Sequence, residues 1–385
     1  NIFRGAEQLD VSASGGFETQ YSGQSKGLNS YSLTGEAKLT LPRFIVPFYK
    51  PQSTAAFIPK TIISLGYQLL SRDTVYKLNS FKAQYGYNWK ENQFKEHNLN
   101  PASVNLVVSN KDTTSLGYQQ LIRDNPGLQY TLEDQFIIGS NYNFTYTNQM
   151  QEKRRHNLYF FGGLETSGNL WGLFVPKGEN GDKRLFNIQL TQFVRVETDL
   201  RSYYKVAPKV VWANRLNLGY GYAYGGSTSL PFVRQFFAGG TNDIRAFRAR
   251  SLGPGTYKIK DDATFADQGG DIKMMLNSEL RFKIVSILHG AAFVDAGNIW
   301  LRKEDPDRPG SEFSLKNSIS EFAVGTGVGL RVDATIFVIR LDGAFPIRKP
   351  FLPSGQRWVI NDIDFGSKIW RRDNLVLNIG IGYPF

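Results

Sequence analysis

The 385-residue sequence contains no cysteine, three histidines and three methionines. The absence of cysteine excludes disulfide bonds and thiolate metal ligands, and with only His97, His156 and His289 available we expect neither a metal centre nor a cofactor. No run of about 18 consecutive apolar residues occurs, which excludes transmembrane helices. Membrane-spanning β-strands are not excluded, because alternating strands give only a weak hydropathy signal.

Charge is in basic excess, since 45 Lys and Arg against 34 Asp and Glu give a formal net charge of +11. Such an excess can indicate nucleic-acid binding. Here the basic residues are distributed among Tyr- and Gly-rich segments without any run of like charge, so we do not expect a nucleic-acid partner. The sequence also lacks a GxSxG nucleophile elbow or any other catalytic arrangement, and we expect a protein that is not an enzyme.

The chain is rich in alternation between apolar and polar residues, most clearly in segments 210–224, 274–284 and 322–332. Within the second segment, Leu276 and Leu280 share one face and Asn277 and Glu279 the other, because side chains alternate along a strand. A further strand is predicted at Phe186–Tyr203. The strands are long, their polar faces are charged and aromatic residues cluster near their ends, which favours a membrane barrel over a soluble β-protein.

The connections between these strands alternate in length. Long connections such as 226–270 and 349–374 alternate with short ones such as 205–208 and 333–335. Outer-membrane barrels have short periplasmic turns and longer extracellular loops, so the C-terminus is predicted in the periplasm and 226–270 outside. The fold class is therefore all-β: a transmembrane antiparallel β-barrel of about fourteen strands that occupies residues 1–385.

The longest connection, residues 226–270, is termed the lid loop. It contains Gly239–Gly255 (GGTNDIRAFRARSLGPG), in which Arg245, Arg248 and Arg250 are fenced by glycines and a proline. Most connections between strands have about 4–6 residues, so this loop is not an ordinary turn, although composition alone equally fits an exposed basic loop. An acidic patch without EF-hand spacing follows and is interpreted as solvated loop surface: Asp261, Asp262, Asp267 and Asp271.

Four motifs, in order and spacing, resemble the C-terminal barrel of the BamA/TamA superfamily of outer-membrane assembly proteins. IRAF at Ile244–Phe247 resembles the family's VRGF loop motif, and NSELRF at Asn277–Phe282 resembles the strand after it. FVDAGNIW at Phe293–Trp300 resembles the next strand, and the terminal NIGIGYPF resembles a barrel-assembly signal. The opening NIFRGAEQL resembles the family's Gly-containing turn, so the resemblance extends over the whole chain, weakly between Gly27 and Lys205.

The resemblance implies a sixteen-stranded barrel whose long extracellular loop folds inward. A count of about fourteen strands then implies that a first hairpin and periplasmic POTRA domains lie upstream of Asn1. The family's lateral gate is the seam between first and last strands, of which this chain would hold the last-strand side. Ala246 departs from the family's usual glycine, which would make a positive φ there less favourable.

The resemblance also implies a set of site residues. The lid-loop motif comprises Gly239, Gly240, Ile244, Arg245, Ala246, Phe247, Gly253, Pro254 and Gly255. Arg245 would fold inward to meet Glu279 and Asp295; alternation independently places Glu279 on the polar face but leaves the face of Asp295 open. A guanidinium in a confined lumen needs a carboxylate, which arginine can bind with two hydrogen bonds. The alternative is three unrelated charges facing water in a wide pore.

The end of the chain forms the predicted last strand, with Leu375 to Phe385 at odd positions on one face. Its assembly signal and gate strand comprise Asn378, Gly380, Tyr383 and Phe385. Glycine in a strand weakens pairing and packing, which suits a seam that must open.

The implied function is that of an outer-membrane insertase, which assembles client β-barrel proteins through a lateral gate by β-augmentation. The implied partners are the lipid bilayer of the bacterial outer membrane, unfolded outer-membrane proteins, and periplasmic or lipoprotein accessory subunits. Two alternatives stay open. One is a two-partner secretion transporter of the same superfamily that exports an unfolded protein, and the other is a passive porin without an inward arginine loop.

Overall fold

The computed structural model describes residues 6–18, 30–46, 57–72, 76–111, 113–124, 133–151, 153–178, 181–258, 268–333 and 338–385. The strands are β1 Gln8–Glu18, β2 Ser30–Leu41, β3 Lys60–Arg72, β4 Tyr76–Asn92, β5 Lys95–Lys111, β6 Gln135–Thr147, β7 His156–Ser167, β8 Arg184–Leu185, β9 Ile188–Leu190, β10 Phe193–Ala207, β11 Val210–Ala223, β12 Phe236–Phe237, β13 Gly269–Gly270, β14 Ile272–Val285, β15 Leu288–Trp300, β16 Ala323–Asp333, β17 Val338–Arg348 and β18 Val376–Ile381. The helices are α1 Leu116–Asp124, α2 Trp171–Phe174 and α3 Lys368–Asn374, with 3-10 turns at Phe232–Arg234, Ser318–Glu321 and Ile360–Asp362. None of the helices in these ranges is long and apolar enough to cross a membrane.

Fourteen of the strands pair with their neighbours in one continuous antiparallel path, β1-β2-β3-β4-β5-β6-β7-β10-β11-β14-β15-β16-β17-β18. The short strands β8 and β9 attach to it beside β6 and bring the sheet to sixteen strands. The path therefore has the strand number expected from the sequence. It begins at β1 and ends at β18.

The long strands separate apolar from polar side chains by face. Outward residues such as Trp212, Leu276 and Val328 are exposed, whereas the intervening Asn217 and Glu279 are buried. Alternation along each strand repeats this separation on its neighbours. An apolar outer surface around a polar interior is the arrangement of a barrel in lipid.

The predicted strand Phe186–Tyr203 is wrong at its N-terminal end. Phe186 and Asn187 have positive φ values of 52° and 64°, so the chain reverses there between β8 and β9. The long strand β10 instead begins at Phe193. Phe186, Ile188 and Leu190 alternate as in one continuous strand, although the turn at Phe186 and Asn187 lies within this segment.

The lid loop leaves β11 and folds inward. Its first part packs Leu230 and Phe232 against inward residues of β4, β5, β6 and β10, namely Leu78, Val107, Ile137 and Phe193. Its second part packs Ile244 and Phe247 against another stretch of wall, including Met275, Phe293, Ala323 and Ala344. The loop is thus attached to two regions of the barrel interior.

Candidate functional site

Two glycines shape the turn that presents the arginine of the loop motif. Gly239 and Gly240 have φ values of 93° and 109°, and a Cβ on Gly239 would lie 2.1 Å from the carbonyl oxygen of Arg248. Only glycine fits so close a backbone approach at such φ values. The amide of Gly240 donates to the carbonyl of Phe247 at 2.9 Å, which closes the turn around Ile244 and Arg245.

The Arg245 side chain is 1% exposed and binds two carboxylates on adjacent strands. Its Nε and Nη2 donate to Oδ2 and Oδ1 of Asp295 at 2.8 and 2.9 Å, a bidentate pair, and its backbone amide donates to Oδ2 at 3.1 Å. Its Nη1 donates to Oε2 of Glu279 at 2.5 Å. Asp295, whose face the alternation left open, therefore points into the lumen from β15.

An aromatic ring completes this pocket. The Arg245 guanidinium carbon lies 3.3 Å from the centre of the Phe293 ring, so the planar cation is held between carboxylates and a π-face. Burial acts to lower the pKa of Arg245, but the hydrogen bonds and charge of Asp295, reinforced by Glu279, outweigh it and raise the pKa above its ordinary value. The guanidinium is therefore permanently charged in its docked position.

Three further buried residues, which sequence reasoning did not assign to the site, extend it across β16 and β17. Arg331 donates to Oδ1 of Asp342 at 2.6 Å and to Oε2 of Glu279 at 3.1 Å. Arg340 lies 3.3 Å from Asp342, which is also 3.6 Å from Arg245. Arg331 lies in the alternating segment 322–332 on the face opposite Val328 and Leu330, and the same pattern at Arg340 and Asp342 in β17 was the available signal.

Together these side chains form the lumen cluster: Arg245, Arg281, Arg331, Arg340, Glu279, Asp295 and Asp342. Four arginines against three carboxylates give it a formal charge of +1. Buried charges are tolerated when they are paired and hydrogen-bonded, and removal of one partner exposes the other to the full desolvation cost.

Side chains from the wall also hold the backbone of the loop. Asn277 of β14 donates to the carbonyl of Asp243 at 2.8 Å, and Arg340 of β17 donates to the carbonyl of Thr241 at 3.0 Å. Asn378 of β18 donates to the carbonyl of Arg245 itself at 2.9 Å. Every strand from β14 to β18 thus contributes to the docked loop or its cluster, so one loop position is specified by the whole C-terminal wall.

Ala246 does not create the backbone conflict that its replacement of glycine suggested. It has no positive φ; the positive value in this part of the motif belongs to Arg250, at 59°. Ala246 is buried and faces Gly325, on which a Cβ would lie only 2.2 Å from the Ala246 Cβ. The space for the alanine methyl is therefore provided by the glycine of β16.

The C-terminal end of the motif, Gly253 to Gly255, packs against the long-loop end of β15. Gly253 and Pro254 are joined by a cis peptide bond, and both are buried with Gly255. The amide of Gly255 donates to the carbonyl of Ile299 at 2.8 Å, and Asn298 donates back to the carbonyl of Gly255 at 2.8 Å. These bonds fix where the loop leaves the cluster.

The terminal aromatics do not continue the face of the last strand as expected. β18 ends at Ile381, and Gly382, with φ 87°, turns the chain. The Arg281 guanidinium carbon then lies 4.6 Å from the Tyr383 ring centre and 5.1 Å from that of Phe385, and Nη2 donates to the main-chain oxygen of Phe385 at 3.1 Å. The terminus thus reaches across to β14.

Gly380 of β18 lies against a member of the lumen cluster. A Cβ on Gly380 would lie 2.8 Å from Nη2 of Arg340, so the glycine leaves room for that guanidinium.

Of the acidic patch, Asp261, Asp262 and Asp267 lie outside the described residues, whereas Asp271 is hydrogen-bonded to the Arg302 amide at 3.1 Å and has its pKa raised by burial. The described ranges contain no group of three potential metal ligands.

The fold and this site define a class: a transmembrane β-barrel with an arginine-bearing loop docked inside it. The sequence matches the Omp85 superfamily domain over residues 1–361, and the chain belongs to that superfamily. Members are insertases or transporters of the bacterial outer membrane, which is where this chain resides. The predicted family, fold class and location are confirmed.

Individual relatives share parts of the chain. The outer membrane protein assembly factor BamA of Neisseria meningitidis serogroup B is 29% identical over 93 residues, which cover 23% of this chain and only 11% of that protein. The crystal structure of BamA from Haemophilus ducreyi lacking POTRA domains 1–3 has a TM-score of 0.58 at 16% identity and covers 98% of this chain and 70% of its own, which shows a common fold. CdiB from Escherichia coli has a TM-score of 0.49 at 14% identity, over 89% of this chain and 59% of its own.

Proposed function

We propose that this chain is the barrel of an outer-membrane protein insertase, which assembles client β-barrel proteins at the edge of its last strand. The observation that carries the proposal is the bond from Asn378 of β18 to the carbonyl of Arg245, the arginine of the lumen cluster. It connects the position of the lid loop to the strand that would receive a client. The proposed mechanism is non-enzymatic.

The length of β18 supports a seam that opens. β18 has six residues, whereas the other strands of the path have 11 to 17, and it pairs with β17 from Ile339↔Ile381 to Ala344↔Val376 only. Few ladder bonds hold so short a strand. Its other edge presents backbone donors and acceptors that an incoming strand can pair with, which is recognition by β-augmentation.

The lumen cluster supports a switch in this mechanism. With Arg245 bound to Glu279 and Asp295, Asn378 is held against the loop and β18 stays in its observed place. Release of the loop removes that bond. Interfaces of buried polar groups have discrete alternatives rather than a continuous range, so docked and released loop are expected to correspond to a held and a free gate strand.

The remaining parts of the proposal concern the longer protein. The family strand number of sixteen and the fourteen-strand path support a further hairpin upstream of Asn1, with periplasmic POTRA domains upstream of that hairpin. Unfolded outer-membrane proteins are the proposed clients, and periplasmic or lipoprotein subunits the proposed accessories. An upstream sequence with two alternating segments of about ten residues each is the expected finding.

The test uses Arg245→Ala in the full-length protein in proteoliposomes, with Arg248→Ala as the matched control in the same loop but outside the lumen cluster. We expect the first variant to insert normally, yet to convert a urea-denatured client into its heat-modifiable form several-fold more slowly, and to expose 226–270 to protease. Equal assembly rates for both variants would contradict the role of the cluster.

Because the chain has no cysteine, a single introduced thiol gives an unambiguous crosslink. Leu377→Cys on β18, 69% exposed, should form a disulfide with a cysteine placed in the terminal strand of a client. Crosslinks to a client that crosses the lumen as a soluble product would instead favour the secretion transporter. Steady ion conductance without any client crosslink would favour the porin.

A further inference from the structure

A row of polar side chains crosses the otherwise apolar outer face of the barrel. Ser202 on β10 lies opposite Asn214 on β11, and Asn214 lies opposite Ser278 on β14. All three occupy outward positions. Leucines occupy the next outward row toward the long-loop side, with Leu216 opposite both Leu200 and Leu276.

The small side chains of this row leave two adjoining grooves. One, of about 300 Å³, lies among Leu200, Leu216, Leu276 and the polar row, and the other, of about 480 Å³, continues past Trp212 and Leu280. Ser278 and Val294 line both, so the two form one elongated depression. An elongated, mainly apolar groove on a lipid-facing surface can hold an acyl chain.

At the centre of the groove one donor is unused. Trp212 Nε1 donates to Ser278 Oγ at 2.9 Å, and Ser278 Oγ donates to Asn214 Oδ1 at 2.8 Å. The amide nitrogen of Asn214 has no acceptor among the described residues. A polar hydrogen in a lipid environment is costly unless an acceptor satisfies it, and here the acceptor has to come from outside the protein.

The short-turn end of the same strands is basic. The amide of Lys205 donates to the carbonyl of Arg155 at 2.8 Å, and the amide of Lys283 donates to the carbonyl of Lys209 at 3.0 Å. The hairpin between β10 and β11 joins these pairs, so the backbones of the four basic residues meet at this rim of the barrel, from which long cationic side chains can reach either face. Neither Lys209 nor Lys283 is paired with a carboxylate in the part of the chain that the structure describes. Such a rim attracts anionic phosphate.

We propose that this groove binds one phospholipid of the periplasmic leaflet. The ester carbonyl of the lipid accepts the free hydrogen of the Asn214 amide, one acyl chain lies along Leu216 and Leu276, and the phosphate faces the rim of Lys209 and Lys283. Trp212 marks the level of the membrane interface, where a glycerol ester is found. The short-turn end faces the periplasm in outer-membrane barrels, so the leaflet is the one made of phospholipid.

The test compares phosphatidylglycerol with its diether analogue, which keeps head group and chains but has no ester carbonyl. Retention of each lipid by the purified full-length protein is measured by native mass spectrometry during titration. We expect the unmodified protein to bind the diester about five- to tenfold more tightly, the effect of one hydrogen bond. Asn214→Leu should lose that preference, whereas Thr198→Leu, an outward polar position on the long-loop side of β10, should retain it.

The comparison of diester and diether in the unmodified protein does not depend on the folding of a variant. Equal affinity for the two lipids would overturn the proposal. Displacement of phosphatidylglycerol from the groove by lipopolysaccharide at equal or lower concentration would overturn it also, because the occupant would then come from the other leaflet. Reduced binding of both lipids by the Lys209→Gln, Lys283→Gln double variant would support the position of the phosphate.

Discussion

The lid loop is attached at two places that differ in chemistry. Near β4, β5 and β6 the anchor is apolar, with Leu230 and Phe232 buried among Leu78, Val107 and Ile137. Near β14 to β18 the anchor combines apolar packing around Ile244 and Phe247 with the lumen cluster, in which hydrogen bonds to two carboxylates hold Arg245, and it is termed the ionic anchor. Apolar burial is non-directional, whereas bidentate arginine–carboxylate pairs require one orientation. Apolar burial at both places therefore keeps the loop inside, and the ion pairs of the second place determine its orientation.

This difference bears on the connection of β18, the proposed gate strand, to the ionic anchor. The bond from Asn378 to the Arg245 carbonyl depends on the exact backbone position of the motif, which directional contacts fix. In the proposed mechanism the cluster is the anchor that is switched, and separation of its paired buried charges carries a large cost. We expect substitutions in the two anchors to separate docking of the loop from its orientation.

The largest effect is expected from Arg245→Glu. It removes the cation and adds a fourth carboxylate to a cluster that already contains Glu279, Asp295 and Asp342. Loss of one partner from a buried pair costs about 3–5 kcal/mol before the new repulsion is added. Loop docking should be lost, as measured by protease cleavage within 226–270, while the heat-modifiable barrel still forms. Addition of Asp295→Arg should restore part of the protection; no restoration would argue against a direct contact.

A smaller effect is expected from Leu230→Ala in the apolar anchor. Leu230 is 0% exposed, and truncation of a fully buried leucine to alanine costs about 2–5 kcal/mol. Protease should cleave the first part of the loop, while the orientation at Arg245 is retained. A thiol crosslink between the motif and β15 reports that orientation, and its loss in Leu230→Ala would show that the anchors act as one.

The sequence predicted the strands because lipid outside and water inside impose alternation on them. A partner of Arg245 could also be predicted from the sequence, since the order of the motifs and the polar face of the strand both indicated Glu279. Arg340 and Asp342 were not identified, because alternation in β17 can place them on the polar face but does not show which charged residues of neighbouring strands they meet. The turn at Phe186 and Asn187 was missed for a different reason: positive φ is uncommon outside glycine, and of these two residues only the asparagine belongs to a type that is enriched there.

A moderate effect is expected from Gly325→Ala, because the new Cβ would lie 2.2 Å from the Cβ of Ala246. Overpacking of this kind costs about 1–3 kcal/mol and should displace the motif from β16. Protease sensitivity of the loop and the client-assembly rate report the displacement. The exchange Gly325→Ala with Ala246→Gly moves the methyl from one side of the contact to the other. It should restore both readouts, and failure to do so would mean that Gly325 is required for another reason.

The smallest effect is expected where the lumen cluster meets the end of the chain. Arg281 stacks with Tyr383 and Phe385 and binds Glu279 at 2.8 Å, so Arg281→Lys keeps the charge but loses the planar stacking and one of the two directional bonds. Cation–π contacts are worth about 0.5–2 kcal/mol, so we expect the terminus to loosen while Arg245 stays docked. Hydrogen exchange at 376–385 should rise in the variant, and the loop should remain protected from protease. Deletion of Phe385 removes the same contact from the other side and should additionally lower the folded fraction that reaches the outer membrane. Increased exchange at the terminus together with an undocked loop would instead mean that the terminal aromatics and the ionic anchor form a single unit.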